Sequence, residues 1–224
     1  MAKKTSASLF DFFSKHRIVL LLGAILSMII GSPFLDDIFQ YAVIPDIFIT
    51  IIFVFGIYAI SRRKLDIYIA LVLAIPMFIG IWSSHLYQNP KLLVFGHLFG
   101  ALFIGFVIGL LINFIFNEKE ITKEVIFAAV VVYLLMAMMW SFAYLILDHF
   151  HPGSFSVPEG PTLESFRYLY FSFVTITTLG YGDVAPLTNK ASSLVILEAV
   201  TGQIYLVVIV AWLVGMHVSR RSQN

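Results

Sequence analysis

The sequence contains no cysteine and few charged residues, and both absences restrict what the protein can be. Without cysteine there are no disulfides, no thiolate zinc sites and no cysteine nucleophiles. Charged residues make up 12% of the 224 residues, whereas soluble domains average about 25%. The basic residues form no stripe of the kind that binds nucleic acid, so we expect no nucleic-acid partner. Hydrophobic residues make up 60% of the chain and the mean hydropathy is +0.95, which indicates a multi-pass membrane protein.

Six apolar stretches approach the roughly 20 residues that a helix needs to cross the hydrocarbon core of a bilayer. The first stretch has no small-residue cleavage site after it, which favours a retained anchor over a removed signal peptide. We therefore predict an all-α membrane protein with six transmembrane helices. The predicted helices are residues 18–35, 45–60, 65–82, 92–116, 125–147 and 191–218.

The lysines and arginines predict the orientation of these helices. With the N-terminus inside, 11 of the 14 basic residues fall in segments that face the cytoplasm. Because basic residues concentrate on the cytoplasmic side of membrane proteins, both termini are predicted to be cytoplasmic and the protein to lie in the cell membrane. The segment 1–17 is then a cytoplasmic or membrane-surface segment, and 219–224 is a short cytoplasmic tail.

Residues 148–189 do not have the pattern of an ordinary loop. A part rich in proline and glycine precedes an apolar stretch that is too short to cross the membrane. We predict a half-membrane helix over 163–177, followed by an extended return that we name the TLGYG segment, residues 178–182. Non-helical backbone at membrane depth is stable only where it is buried in protein or lines water. The TLGYG segment is therefore predicted to line an aqueous path.

The TLGYG segment offers backbone carbonyls and a threonine hydroxyl, and little else that is reactive. It contains no nucleophile with a base beside it, so we expect neither enzyme chemistry nor a substrate. Gly180 and Gly182 allow the backbone to alternate between right- and left-handed conformations, since the left-handed one is cheap only for glycine. Alternation lets successive carbonyls face one axis. Such a stack of uncharged oxygens suits a dehydrated monovalent cation, and the C-terminal end of the preceding helix adds partial negative charge.

The sequence Thr178–Asp183, TLGYGD, resembles the selectivity filter of the potassium channel family. The common form of that filter is TVGYG, so Leu179 stands where valine is usual. The resemblance extends from residue 125 to the end of the chain and covers an outer helix, a pore helix, a filter and an inner helix. A half-membrane helix before the motif and a full-length helix after it are the context that the family requires, and their presence disfavours a chance occurrence of the motif.

The resemblance implies K⁺-selective conduction by four TLGYG segments around one axis. A chain with one such segment is then expected to form a homotetramer, surrounded by membrane lipids. No cofactor is implied other than the permeant K⁺ ions. The implied K⁺-coordinating residues are Thr178 (with its hydroxyl), Leu179, Gly180 and Tyr181, with Gly182 completing the pore lining.

The residues behind the candidate filter depart from the family pattern. Some members carry a pore-helix glutamate that pairs with the aspartate after the filter, and Val174 stands at that position. Tyr170 and Phe171 replace a pair of tryptophans that is frequent in the family. We hypothesise that the Tyr170 hydroxyl bonds Asp183 and stiffens the outer mouth of the filter.

Three further residues are candidates for filter support or gating. Thr177 ends the predicted pore helix, directly before the filter. Glu198 lies inside the last apolar stretch, where ionisable residues are usually functional; we expect it to support the pore helix near Thr175 or Thr177, with ion coordination as the alternative. Gly202 lies where the family places a hinge in the inner helix, and close helix packing is an equal alternative.

The first four predicted helices have the layout of a voltage sensor but lack its charges. Steep voltage gating needs about 3–4 charges per subunit. The fourth helix contains no arginine, and its candidates are Lys91 at the rim and His97. The predicted domains are a sensor-like bundle without gating charges (18–116), an amphipathic linker (117–124) and a pore domain (125–218).

Other interpretations stay open at this point. Leu179 or the altered filter backing could loosen the filter and give a non-selective cation channel. The protein could also be a non-conducting regulatory or scaffold subunit. A potassium-uptake subunit is disfavoured, because those chains carry several degenerate filter loops. No gating stimulus is indicated, although His85, His149 and His151 on the outer side permit a proton sensor.

Overall fold

The computed structural model describes residues 16–39, 44–60, 63–87, 89–156 and 164–221. Within these ranges the chain consists of helices joined by short connections, with one two-stranded ribbon. The predicted all-α class is therefore confirmed. The elements are α1 (Arg17–Phe39), α2 (Ile44–Ile60), α3 (Lys64–Tyr87), α4 (Pro90–Asn117), α5 (Lys123–Phe150), β1 (Phe155–Ser156), α6 (Glu164–Ile176), β2 (Ala185–Pro186) and α7 (Asn189–Arg221).

In the part of the chain that the structure describes, five helices, α1, α3, α4, α5 and α7, are long and apolar enough to cross a membrane. Helix α2 is equally apolar in character but has only 17 residues, at the lower end of the length that spans a bilayer. The expectation of a multi-pass membrane protein is thus supported by length and composition. The count of six spans stays a prediction.

The helix ends differ from the predicted ones by a few residues. Helix α1 continues through Pro33 to Phe39, beyond the predicted end at residue 35. Helix α7 begins at Asn189 instead of 191, because the Thr188 hydroxyl accepts a hydrogen bond from the Ala191 amide at 3.2 Å and caps the first turn. Residues 1–15 of the predicted N-terminal segment and residues 222–224 of the predicted C-terminal tail lie outside the described residues.

Local capping explains where α4 and α5 begin. The Asn89 side chain accepts a hydrogen bond from the Lys91 amide at 3.0 Å, and Pro90 occupies the first helical position, which suits proline. The Thr122 hydroxyl caps α5 by accepting from the Val125 amide at 3.3 Å. Helix α4 ends at Asn117, so only 118–122 of the predicted linker lies between the two helices, and it is not helical.

The first four helices pack together and then against α5 of the same chain. Helix α1 lies beside α2, and α3 lies beside α4, which in turn packs along α5. Phe53 of α2 stacks on Phe103 of α4 with a centroid distance of 4.2 Å. Helix α1 also contacts α5. One continuous apolar core therefore joins the four-helix bundle to α5, α6 and α7.

The short helix α6 is held between α5 and α7. Beyond it, the chain returns to form an antiparallel ribbon with β1, in which Phe155 lies opposite Pro186 and Ser156 opposite Ala185. The Leu187 amide adds a 2.8 Å hydrogen bond to the Ser154 carbonyl. The ribbon fixes the far end of residues 177–184 and so positions the TLGYG segment.

Candidate functional site

Helix α6 ends at Ile176, and the TLGYG segment folds back onto its last turn. The Thr178 amide donates to the Thr175 carbonyl at 2.9 Å. The amides of Leu179 and Gly180 both donate to the Val174 carbonyl, at 3.0 and 3.3 Å. The carbonyls that end α6 are therefore used to anchor the start of the TLGYG segment.

Helix α6 spans Glu164–Ile176, whereas the sequence predicts a helix over 163–177. Thr177, a predicted filter-support residue, therefore lies just beyond the helix. Leu163, the predicted first residue, lies outside the described part of the chain. The Thr177 hydroxyl donates to the Phe173 carbonyl at 2.6 Å. Thr177 thus closes the last turn of the helix with its side chain.

The backbone of the TLGYG segment alternates in handedness at every second residue. The φ angles of Thr178, Gly180 and Gly182 are +60°, +56° and +78°. The intervening residues have ordinary negative φ angles. Both glycines adopt the left-handed conformation expected from the sequence, and Thr178 extends the alternation by one residue, although left-handed backbone is unfavourable for a β-branched residue.

The carbonyl oxygens of the TLGYG segment have no hydrogen-bond donor among the described residues. The segment donates through its amides to α6 and leaves its acceptors free. Its side chains are also largely uncovered in the single chain, with 55% of Leu179 and 68% of Tyr181 exposed. Within a membrane, unbonded carbonyls need a partner or water. The described part of the single chain supplies no such partner to these carbonyls and leaves the neighbouring side chains uncovered.

Tyr170 and Asp183 lie together at the outer end of the segment. The Tyr170 hydroxyl makes a side-chain hydrogen bond with Asp183, as hypothesised from the sequence. The Asp183 carboxylate also accepts from the amide of Val184 at 3.1 Å. Helix α6 is thus connected to both ends of the TLGYG segment, through its C-terminal carbonyls and through Tyr170.

Two tyrosines that the sequence reasoning did not select hold the inner end of the site. The Tyr133 hydroxyl, from α5, donates to the Ile176 carbonyl at the end of α6 at 2.8 Å. The Tyr205 hydroxyl, from α7, donates to the Ala129 carbonyl of α5 at 2.7 Å. The two rings stack with a centroid distance of 6.2 Å. A tyrosine inside an apolar span is a signal for such a role, because its hydroxyl needs a partner there.

Glu198 lies fully buried in α7, but it does not bond the residues expected from the sequence. The expected neighbours were Thr175 and Thr177. Instead, one carboxyl oxygen contacts the Ser172 hydroxyl of α6 and the other accepts from the Tyr144 hydroxyl of α5. The helical register explains the difference, since Ser172 lies about one turn before Thr175 and on the face of α6 that is turned to α7.

Gly202 packs directly against the end of α6. A methyl group at this position would overlap the Ile176 side chain and lie 3.3 Å from the Ile176 carbonyl oxygen. Helix α7 runs without a break through this position. The geometry favours the close-packing alternative over the hinge.

Helix α4 carries one lysine, at its N-terminal end, and no arginine. Lys91 lies at its first turn. His97 is 4% exposed and stacks on Phe142 of α5 with a centroid distance of 5.3 Å. Among the residues that the structure describes, no group of three or more histidine, aspartate or glutamate side chains could hold a metal ion.

Comparison with known proteins agrees with these features. A family model described as ion channel matches residues 120–218, which include α5, α6, the TLGYG segment and most of α7. The chain is also 40% identical over 62 residues to two pore potassium channel c of rice, Oryza sativa subsp. japonica. That match covers 26% of this chain and only 14% of the rice protein. No solved structure matches the chain.

The family model falls on the region that carries the TLGYG segment and its supporting helices. The resemblance to the potassium channel family is therefore confirmed for this region, because residues 120–218 match the ion-channel family model.

Proposed function

We propose that the protein is a potassium-selective channel, in which K⁺ passes down its electrochemical gradient through a pore lined by residues 178–182. The observation that carries this proposal is the alternation of left-handed backbone at Thr178, Gly180 and Gly182 in a segment whose carbonyls have no donor among the described residues. This backbone turns successive carbonyls towards one side, where they replace the hydration shell of a cation.

The absence of formal charge in this lining supports a monovalent ion. Carbonyl dipoles compensate the loss of water around K⁺, whereas a divalent ion loses far more hydration energy and usually takes carboxylate ligands. Helix α6 directs its C-terminal end at the start of the segment, and its partial negative charge favours a cation there. The bound ions are the permeant ones, and the proposal includes no resident cofactor.

One chain supplies only one wall of such a pore, so the proposal includes a homotetramer in the lipid bilayer. The uncovered side chains of Leu179 and Tyr181 and the largely exposed surface of α7 support it, because neighbouring copies would cover them. Residues 125–218 form the pore domain in this scheme. Residues 18–116 form a sensor-like bundle, 117–124 a linker, and both termini face the cytoplasm of the cell membrane.

Flux through liposomes that contain the purified protein tests this function. We expect K⁺ efflux that is at least about tenfold faster than Na⁺ efflux under matched gradients, since a carbonyl filter separates the two ions. Gly180→Ala should abolish the K⁺ flux. No atom of the chain within 4 Å obstructs a methyl group there, so the damage arises from the left-handed φ of +56°.

Gly153→Ala is the matched control. Gly153 has φ +78° and equally open surroundings, but it lies in the loop between α5 and β1. It imposes the same kind of backbone strain away from the TLGYG segment, and the K⁺ flux should persist. Equal K⁺ and Na⁺ flux would indicate a non-selective cation channel instead. Absence of any flux from well-folded protein would favour a non-conducting regulatory or scaffold subunit.

A further inference from the structure

One carboxyl group connects the three helices around the TLGYG segment. Glu198 of α7 is completely buried, as are its partners Tyr144 of α5 and Ser172 of α6. The Tyr144 hydroxyl donates to one oxygen of the carboxyl group, and the Ser172 hydroxyl contacts the other. Ser172 lies two residues before Val174, whose carbonyl anchors the amides of Leu179 and Gly180.

The hydrogen atoms available in this cluster define the state of Glu198. The Ser172 hydroxyl has one hydrogen, yet its oxygen lies within bonding distance of both the Glu198 carboxyl and the Ala137 carbonyl, the latter at 2.6 Å. A backbone carbonyl only accepts, so the Ser172 hydrogen is needed for Ala137 if that bond is to exist. The contact between Ser172 and Glu198 is then a hydrogen bond only if the carboxyl group carries a proton.

The surroundings of Glu198 agree with a neutral acid. The titratable groups that face it are Tyr133 and Tyr144, both on α5. On α6 it meets Ser172, and no lysine, arginine or histidine among the described residues forms an ion pair with it. Burial of an ionised carboxylate without a cation is strongly unfavourable, so the neutral form is the stable one at this site.

We propose that Glu198 is held as a neutral carboxylic acid that donates to Ser172, and that it acts as a positioning residue for α6 and the TLGYG segment. In this arrangement Tyr144 donates to Glu198, Glu198 donates to Ser172, and Ser172 donates to the Ala137 carbonyl. Each hydroxyl or carboxyl hydrogen of Tyr144, Glu198 and Ser172 then has an acceptor. The chain of bonds sets the distance of α6 from α5 and α7. The role of Glu198 in conduction rests on the proposed channel function, whereas its protonation does not.

The variant Glu198→Gln separates a neutral donor from a carboxylate. A glutamine amide donates to Ser172 and accepts from Tyr144, so it reproduces the bonds of the neutral acid. We expect K⁺ flux of Glu198→Gln within about twofold of the wild type, because no hydrogen bond is lost. Glu198→Ala and Ser172→Ala should each reduce the flux by about tenfold, because they leave buried polar groups unpaired. The control Ser193→Ala should leave it unchanged, since that hydroxyl bonds only the Asn189 carbonyl of its own helix.

Infrared spectroscopy tests the protonation directly and does not depend on conduction. At neutral pH, the difference spectrum of wild type minus Glu198→Gln should contain a carbonyl stretch of a protonated carboxyl group and no carboxylate bands. Carboxylate bands in that spectrum would overturn the proposal, as would a Glu198→Gln flux as low as that of Glu198→Ala. If the wild type carries no K⁺ flux but the protonated band is present, the channel function fails and the assignment of Glu198 as a neutral acid stands.

Discussion

Tyr170 replaces a tryptophan of the family pattern and still reaches Asp183. Removal of its hydroxyl leaves Asp183 with the Val184 amide as its remaining donor among the described residues. We predict that Tyr170→Phe shortens the time that the pore stays conducting severalfold in single-channel recordings, because the outer end of the TLGYG segment loses its connection to α6. Tyr68→Phe is the control, since Tyr68 is 68% exposed on α3. Unchanged open times in Tyr170→Phe would show that the bond does not stiffen the outer mouth.

The contact between Gly202 and Ile176 makes it possible to test whether Gly202 serves close packing or acts as a hinge. An added methyl group overlaps the Ile176 side chain, so Gly202→Ala should destabilise the protein by about 1–3 kcal/mol, as overpacking usually does. If close packing requires a glycine at position 202, the destabilisation by Gly202→Ala should be smaller in a protein that also carries Ile176→Ala. A double-mutant cycle based on thermal stability measures this difference. A loss of channel opening that is the same in both backgrounds would instead support the hinge.

At the scale of the element, glycines set how closely α3 and α4 approach. A methyl group on Gly80 would lie 2.6 Å from the Gly96 backbone nitrogen, and one on Gly96 would lie 2.9 Å from the Ile81 nitrogen. Backbone atoms cannot move aside as a side chain can, so Gly80→Ala and Gly96→Ala should each lower the midpoint of thermal unfolding in detergent. Gly109→Ala should not, because nothing lies within 4 Å of that position. Equal stability of all three variants would contradict this packing argument.

Helix α4 also determines the expected response to voltage. A steep response needs about 3–4 charges per subunit that cross the field. Within α4, Lys91 lies in the first turn and His97 is buried against Phe142. We predict an effective gating charge below about one elementary charge per subunit. Current recordings from planar bilayers in symmetric K⁺ would measure it, and a value of several charges would require a charge-carrying element other than α4.

The sequence could predict the features that depend on local chemistry and not those that depend on which helices meet. Apolar runs predicted the helices, because lipid leaves few other options for the backbone. The glycine spacing predicted left-handed backbone at Gly180 and Gly182. It did not predict the same conformation at Thr178, which that residue type disfavours. The partners of Glu198 lie 26 and 54 residues away in the sequence, so only the packing of α5, α6 and α7 identifies them.

At the scale of the whole molecule, the exposed surfaces indicate what the single chain lacks. Only 17% of the residues in the apolar, membrane-spanning stretch of α7 are buried, whereas 56% are buried in the corresponding stretch of α5. Large apolar side chains are exposed along the whole length of α7, among them Ile196, Val207 and Val218. Lipid could cover some of this surface, but it offers no hydrogen-bond donors to the unpaired carbonyls of the TLGYG segment. Ions held between neighbouring copies would satisfy those carbonyls.

This reasoning predicts that K⁺ stabilises the assembled protein. Each chain has a mass of 25.2 kDa, and native mass spectrometry should find four of them together. An ion that binds only the assembled pore shifts the equilibrium towards it by RT ln(1 + [L]/Kd), which is about 2.7 kcal/mol at a concentration 100 times the Kd. The temperature at which the tetramer dissociates should therefore be several degrees higher in K⁺ than in Na⁺ at the same ionic strength.

Two glycine variants, Gly180→Ala and Gly153→Ala, test whether that stabilisation arises from the TLGYG segment. Gly180→Ala should remove the difference between K⁺ and Na⁺, because a methyl group at φ +56° disturbs the alternation that directs the carbonyls to one axis. Gly153→Ala should retain the difference even if its dissociation temperature falls in both salts, since its strain lies in the outer loop. Equal dissociation temperatures of the wild type in K⁺ and Na⁺ would mean that the carbonyls of residues 178–182 do not select K⁺, and the selective filter would then be the wrong explanation for the alternating backbone.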